Sequence, residues 1–196
     1  MTNENDKVEW YPMRSSYGRE QKVKENLDKL GIDNYVPMTY QFTEVNGKRR
    51  RVLVPAVHNL IFVHSSRNTI TDLKTNNVFL SSLRYMKRKS IYETNSQALI
   101  ITVPTNQMNN FIKATKDHEE EITYLSDDQG KCTVGQKVRI INGTFCGVEG
   151  QIKRIQKNKR VLVTLEGIST VMLNFVPKDL MEQIADSNYA NKPGKL

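Results

Sequence analysis

Cysteine is nearly absent. Cys132 and Cys146 are the only two in 196 residues, too few for a disulfide scaffold in a chain of this length. Both are expected as small core filler in a reducing compartment, the cytoplasm. Long apolar runs are also missing. No segment approaches the ~18 apolar residues that a membrane-spanning helix needs, and the opening MTNENDKVEW lacks the basic-then-apolar order of a signal peptide. No membrane partner is expected. Histidine is scarce as well. His58 and His64 fall on one expected strand, where a spacing of ~3.3 Å per residue separates them by ~20 Å, too far to share one ion. Acidic residues crowd only in HEEE (118–121), which reads as a solvated helix end. There is no Ser-His-Asp arrangement and no activated nucleophile. The chain is therefore expected to bind rather than catalyse, without metal or cofactor.

What the sequence does have is positive charge. Lys and Arg total 29 against 21 Asp and Glu, a formal net charge of +8. Such an excess favours an acidic partner, nucleic acid first of all, although surplus lysine also serves solubility. The cations cluster in KRRR (Lys48, Arg49, Arg50, Arg51), in RYMKRK (Arg84, Lys87, Arg88, Lys89) and in KRIQKNKR (153–160). Any one cluster reads as a hydrated turn; three together favour phosphate contact. No array of exposed aromatics accompanies them, so backbone contact is expected rather than base stacking.

The glycine run GTFCGVEG (143–150) is no phosphate cradle. A Walker-type loop needs Gly-Lys-Ser/Thr and a following helix, and the dinucleotide fingerprint is G-x-G-x-x-G. Here the spacing is G-x-x-x-G-x-x-G, and Gly150 leads into a strand. Gly143, Gly147 and Gly150 are expected to permit tight turns and close strand packing, with Phe145 anchoring the loop.

Periodicity sorts the rest. VEWYPMR (8–14) reads as a strand. SSYGREQKVKENLDKLG reads as a helix capped by Ser16, with Val23, Leu27 and Leu30 on one face. Glu20–Lys24 and Glu25–Lys29 pair on the wet face, and Gly31 is the stop. Met38, Tyr40 and Phe42 alternate as in a half-buried strand, and Asn46-Gly47 suits a hairpin turn. NLIFVH (59–64) is expected as a central strand, RNTITDLKTNN as a short helix, SSLRYMKRKSIYE and ALIITV as strands. Thr105 then caps a helix striped by Met108, Phe111 and Ile112. An acidic, polar stretch (117–131) reads as a linker containing at most the short strand EITYL. Beyond it come short strands alone. Val161, Val163 and Leu165 share one face, and Val171, Leu173 and Phe175 another. The tail 187–196 is expected to be disordered.

These elements imply an α+β fold. An antiparallel sheet flanked by helices (7–116) precedes a linker (117–131) and a small all-β barrel (132–186).

KVRIINGTFCGVEGQIKRIQKNKRVLVTLEGISTVMLNFVPKDLMEQI resembles a KOW domain of the SH3-like type, a motif shared with some ribosomal proteins. EWYPMRSSYGREQKVKENL and VPAVHNLIFV resemble the N-terminal domain of the NusG family. Together the resemblance covers about residues 8–184. It implies a monomeric transcription factor that binds RNA polymerase at the clamp and modulates elongation or termination. A KOW domain in this family recruits a ribosomal protein or termination factor. Specialised members also contact the non-template or upstream DNA. Where the family has Phe-Pro-Gly-Tyr, this chain has Ala56-Val57-His58-Asn59-Leu60, which is more similar to UpxY-type antiterminators of capsular polysaccharide operons. The resemblance implies polymerase contact through Tyr11, Arg14 and Leu60; the plainer reading of Tyr11 and Leu60 is core. It implies nucleic-acid contact through the cations at 48–51 and 84–89. A ribosome- or RNA-associated KOW protein is the alternative.

Overall fold

EWYPMR forms strand β1 (Glu9–Arg14), and its four central residues are all buried. LIFVHS repeats this continuous apolar pattern as β5 (Leu60–Ser65), as a strand covered on both faces requires. The two pair antiparallel, with Tyr11 opposite Val63, Pro12 opposite Phe62 and Arg14 opposite Leu60. The computed structural model describes residues 4–88, 98–126, 135–155 and 158–184. The chain divides into two units, Met1–Glu120 and Glu121–Leu196.

In the first unit, β2 (Asn34–Tyr35) and β6 (Arg84–Tyr85) complete a sheet of order β2-β5-β1-β6, antiparallel throughout. One face presents Tyr11, Met13, Ile61 and Val63. They pack with Val23 and Leu27 of α1 (Glu20–Lys29) and Ile70 of α2 (Arg67–Asn76). On the other face the Phe62 ring meets Phe111 of α3 (Thr105–Thr115), centroids 6.0 Å apart. Helices on both faces make the middle of the sheet the core.

Helix ends depart from the sequence expectations. Ser16 does not cap α1, because Tyr17 and Gly18 both take positive φ (61° and 62°) and interrupt the helical run. Gly18 N–H donates to Asn59 Oδ1 at 3.0 Å, and Asn59 N–H donates to Glu20 Oε1. Glu20 is only 1% exposed. It fastens the 57–60 turn to the start of α1 instead of pairing with Lys24, which binds Asp28 at 2.8 Å. No Glu25–Lys29 ion pair forms among the described residues. Leu30 lies past the last helical residue and is exposed. Gly31, with φ 67°, follows as the stop. Ser66 caps α2 by accepting from Thr69 N–H at 3.1 Å. Thr105 is the first residue of α3, after a Pro104 that offers no side-chain cap. The strand expected across RYMKRK is broken into β6 and β7 (Lys87–Arg88). β7 pairs with β8 (Leu99–Ile100) instead of with the main sheet.

Tyr35 ties β2 to α3. Its hydroxyl lies 2.7 Å from Thr115 Oγ1, and burial pushes its pKa up to about 12. A phenol in the unfolded chain titrates near ~10. Folding thus favours the protonated form, a contribution fully present below pH ~10 and lost as pH rises through the folded value. Tyr85, raised by burial to about 12 as well, adds in the same direction. Denaturant unfolding from about pH 9 to 12 should show falling stability, and Tyr35→Phe should shrink that fall.

The second unit is a six-stranded antiparallel sheet. Its strands are β9 (Ile122–Leu125), β10 (Lys137–Ile140), β11 (Glu149–Ile155), β12 (Asn158–Leu165), β13 (Ser169–Leu173) and β14 (Met181–Gln183). The order is β14-β10-β11-β12-β13-β9. A closed barrel needs β14 to pair with β9, and no such pairing occurs among the described residues. The short strand EITYL expected within the 117–131 stretch forms as β9. Ile122, 7% exposed, sits opposite Leu173 of β13, so the strand belongs to the sheet. Phe175 is corrected: β13 ends at Leu173, and Phe175 beyond it is 74% exposed. Cys146, expected as core filler, is exposed. Cys132 and the tail at 187–196 lie outside the described residues.

The glycine run turns the chain between β10 and β11. Gly143 and Gly147 take φ of 85° and 79°, and Phe145 between them is buried. Gly150 has a different reason. A Cβ there would stand 2.6 Å from both Leu162 O and Val161 Cγ1 of β12.

Candidate nucleic-acid interface

Strands β3 (Met38–Val45) and β4 (Lys48–Pro55) form a separate two-stranded ribbon. Asn46 and Gly47 close it with φ of 53° and 70°, the double positive φ of a two-residue hairpin turn. The register sets Tyr40 opposite Leu53, Phe42 opposite Arg51 and Glu44 opposite Arg49. Side chains alternate between faces along each strand. Tyr40, Phe42, Glu44, Arg49, Arg51 and Leu53 therefore share one face, and Lys48 and Arg50 the other.

On the first face each ring is paired with a guanidinium. The Arg49 carbon Cζ lies 4.4 Å from the Phe42 centroid, and that of Arg51 lies 3.9 Å from Tyr40, within cation–π range. Arg51 also binds Glu120 at 2.7 Å. Lys48, Arg49 and Arg50 form no ion pair among the described residues. The Met38-Tyr40-Phe42 alternation predicted a half-buried strand. Only Met38, at the base of the ribbon, packs against the core; Tyr40 is 39% and Phe42 62% exposed. No third strand pairs with the ribbon among the described residues, so the alternation has no sheet behind it. The expectation that no exposed aromatics accompany the cations is thereby corrected. Rings opposite arginines across an Asn-Gly turn were the available signal.

The second cluster lies at the edge of the main sheet. Arg84 is directly opposite Arg14, a like-charge arrangement that is unfavourable unless an anion relieves it. One Arg84 nitrogen donates to Ser81 O at 2.7 Å and to Leu83 O at 2.9 Å, and Lys87 and Arg88 are exposed. Lys74 of α2 stands over the Tyr85 ring at 5.4 Å. Its pKa is pulled down by burial and then by the charges of Arg84 and Lys87. Lys89 lies outside the described residues. In the second unit, Lys153 faces Arg160 and Arg154 faces Lys159 across β11 and β12.

The docking set divides. Arg14 is exposed. Tyr11 is 0% and Leu60 2% exposed, so their assignment to a contact surface is corrected. Tyr11 points to the α1–α2 side of the sheet and Leu60 to the opposite side, and both sides are covered. The turn before Leu60 does not lift it out, because Ser15 N–H donates to Asn59 O at 2.9 Å and continues the β1–β5 pairing.

The histidines stand apart. His64 stacks on Trp10 with centroids 4.8 Å apart, and His58 is exposed in the turn before β5. No cluster among the described residues has the ligands to hold a metal ion. No helix among them is long and apolar enough to cross a membrane.

A search of curated proteins gave no match. Among solved structures, the one described as "Crystal Structure of MjSpt4:Spt5 complex conformation B" is 12% identical and covers 90% of this chain and 97% of that one, at a TM-score of 0.26. That score is too low to carry an argument. The model of the family described as "Transcription termination factor nusG" matches residues 8–129, from the start of β1 to beyond β9. With more than half of its length inside that match, the chain belongs to the NusG family of transcription factors.

Proposed function

We propose that this protein is a transcription elongation and antitermination factor that travels with RNA polymerase and promotes read-through. The first unit docks on the polymerase clamp, with Arg14 as its exposed contact. The second acts as a KOW-type module that recruits a ribosomal protein or termination factor. The regulated operons are of the capsular polysaccharide type, as the UpxY resemblance implies. The protein works in the cytoplasm as a monomer, by binding and without catalysis, metal or cofactor. The observation that carries this reading is the family match over 8–129, which contains the whole described first unit from β1 to α3. Lys48, Arg49, Arg50 and Arg51, with Arg84, Lys87, Arg88 and Lys89, lie along upstream or non-template DNA. That Lys48, Arg49 and Arg50 form no ion pair among the described residues supports that part.

The tagged full-length protein should co-purify with polymerase subunits. Recovery of ribosomal subunits alone would replace this reading with that of a ribosome- or RNA-associated KOW protein. Affinity for single strands should fall with salt, with a log-log slope of ~0.7 per phosphate neutralised. Replacing Arg49 and Arg50 by Gln should reduce that slope by about 1.4. A slope of zero in the wild type would remove the DNA contact.

A further inference from the structure

We propose that the Tyr40–Phe42 face of the β3–β4 ribbon is a base-stacking platform for single-stranded nucleic acid, which assigns a role to two aromatics outside any core. The inference rests on the nucleic-acid contact proposed above and specifies its mode. Phe42 stays 62% exposed even with Arg49 against its ring. An intramolecular cation–π pair therefore leaves most of the ring without a partner. Exposed rings and Leu53 on a narrow two-stranded ribbon are a solubility liability that native surfaces rarely keep without use.

The charge selects the occupant. An apolar protein surface laid on this face would desolvate Arg49 and Arg51 together with the Glu44 carboxylate opposite Arg49, and on it the arginines outnumber that carboxylate two to one. A strand of nucleic acid brings bases for the rings and phosphates for Arg49 and Arg51 on this face. Tyr40 and Phe42 are two residues apart on one strand, or ~6.6 Å at ~3.3 Å per residue. That is about twice the ~3.4 Å rise per nucleotide, the spacing of bases with one ring interleaved between them. Intact duplex offers no free base face, so the platform requires unpaired bases.

The test uses the full chain and fluorescence anisotropy with a labelled single strand of ~12 nucleotides, within the span of known single-strand binders. Phe42→Ala should weaken binding about ten-fold at fixed salt. Its salt slope and its affinity for the matched duplex should stay unchanged. Phe42→Trp should retain affinity, and its added emission should be quenched by the oligonucleotide. Phe42 is exposed, so far-UV circular dichroism should show both variants folded. If Phe42→Ala binds single strands like the wild type while the Arg49, Arg50 double variant loses affinity, the platform is wrong and the cationic contact stands. Equal losses on single strand and duplex would also overturn it. So would a loss of polymerase co-purification with single-strand affinity unchanged, since the face would then dock protein. A wild-type protein that binds neither form removes both the platform and the DNA contact, while polymerase co-purification continues to test the family-based function.

Discussion

Leu60→Asp is expected to unfold the first unit, and with it every binding activity of that unit, whatever polymerase touches. The side chain is 2% exposed on a central strand. Truncating such a leucine to alanine costs about 2–5 kcal/mol. An aspartate adds the penalty of a carboxylate withdrawn from water, which pairing must offset. Arg14 is opposite in register, but its side chain is at the surface, and a short carboxylate held inside does not reach that water. The sum approaches or exceeds the ~5–15 kcal/mol by which whole domains are stable. Trp10 makes the measurement specific. It is the only tryptophan, 7% exposed, and stacked on His64 in the same sheet. Its fluorescence should report a native transition for wild type, a lowered one for Leu60→Ala, and an unfolded spectrum at ambient temperature for Leu60→Asp. A wild-type transition in Leu60→Asp would show that Leu60 is not core. Polymerase docking is better probed at Arg14, where Arg14→Ala leaves the sheet intact.

The Leu60 case shows where sequence reasoning lost the surface. Strand identity was legible in EWYPMR and LIFVHS, because two continuous apolar runs of strand length have few other solutions. Which face was solvent was not legible, because both are covered, one by α1 and α2 and one by α3. No alternation marks a strand with two dry faces. The ribbon shows the converse. Its alternation and its Asn46-Gly47 turn were legible, and the turn formed as expected. The alternation predicts burial, yet a two-stranded ribbon presents one aromatic face with no third strand paired to it among the described residues. Periodicity reports that residues share a face, and only tertiary contacts say what the face meets.

Polar positions were less legible still. Glu20 and Lys24 have ideal spacing for a surface pair. The part-buried Asn59 N–H captured the buried Glu20 carboxylate instead, since leaving a carboxylate withdrawn from water without a donor costs more than an exposed ion pair returns. Ser16 has the right chemistry for a cap. The positive φ at Tyr17 and Gly18, held by the Asn59 side chain at Gly18, moved the helix start beyond it. In both cases a partner about forty residues away in sequence decided the outcome. The strand β9 was legible as EITYL, but the sheet it joins was not, for a related reason. EITYL is short and sits in acidic surroundings, and only its pairing with β13 makes it part of a sheet.

In the second unit, Gly150→Val should be the most damaging glycine substitution of GTFCGVEG. Overpacking a core position costs typically about 1–3 kcal/mol and occasionally more. Here the first added atom already stands 2.6 Å from Leu162 O and from Val161 Cγ1. Leu162 O is backbone of the adjacent strand, and β12 is held between β11 and β13, so it cannot retreat without breaking pairing on one side. The expected cost is at least about 3 kcal/mol, at the upper end of that range. Gly143→Ala is a useful contrast. Its φ of 85° penalises a side chain, but the nearest atom to a new Cβ is the flexible Leu180 Cδ1, 3.5 Å away. It should cost about 1 kcal/mol. Amide hydrogen exchange of the full chain separates the two. Gly150→Val should lose protection throughout β10 to β13, whereas Gly143→Ala should lose it only around the 141–148 loop. Equal protection in Gly150→Val and wild type would mean that β11 and β12 do not approach this closely. The glycine would then serve the turn, as Gly143 and Gly147 do.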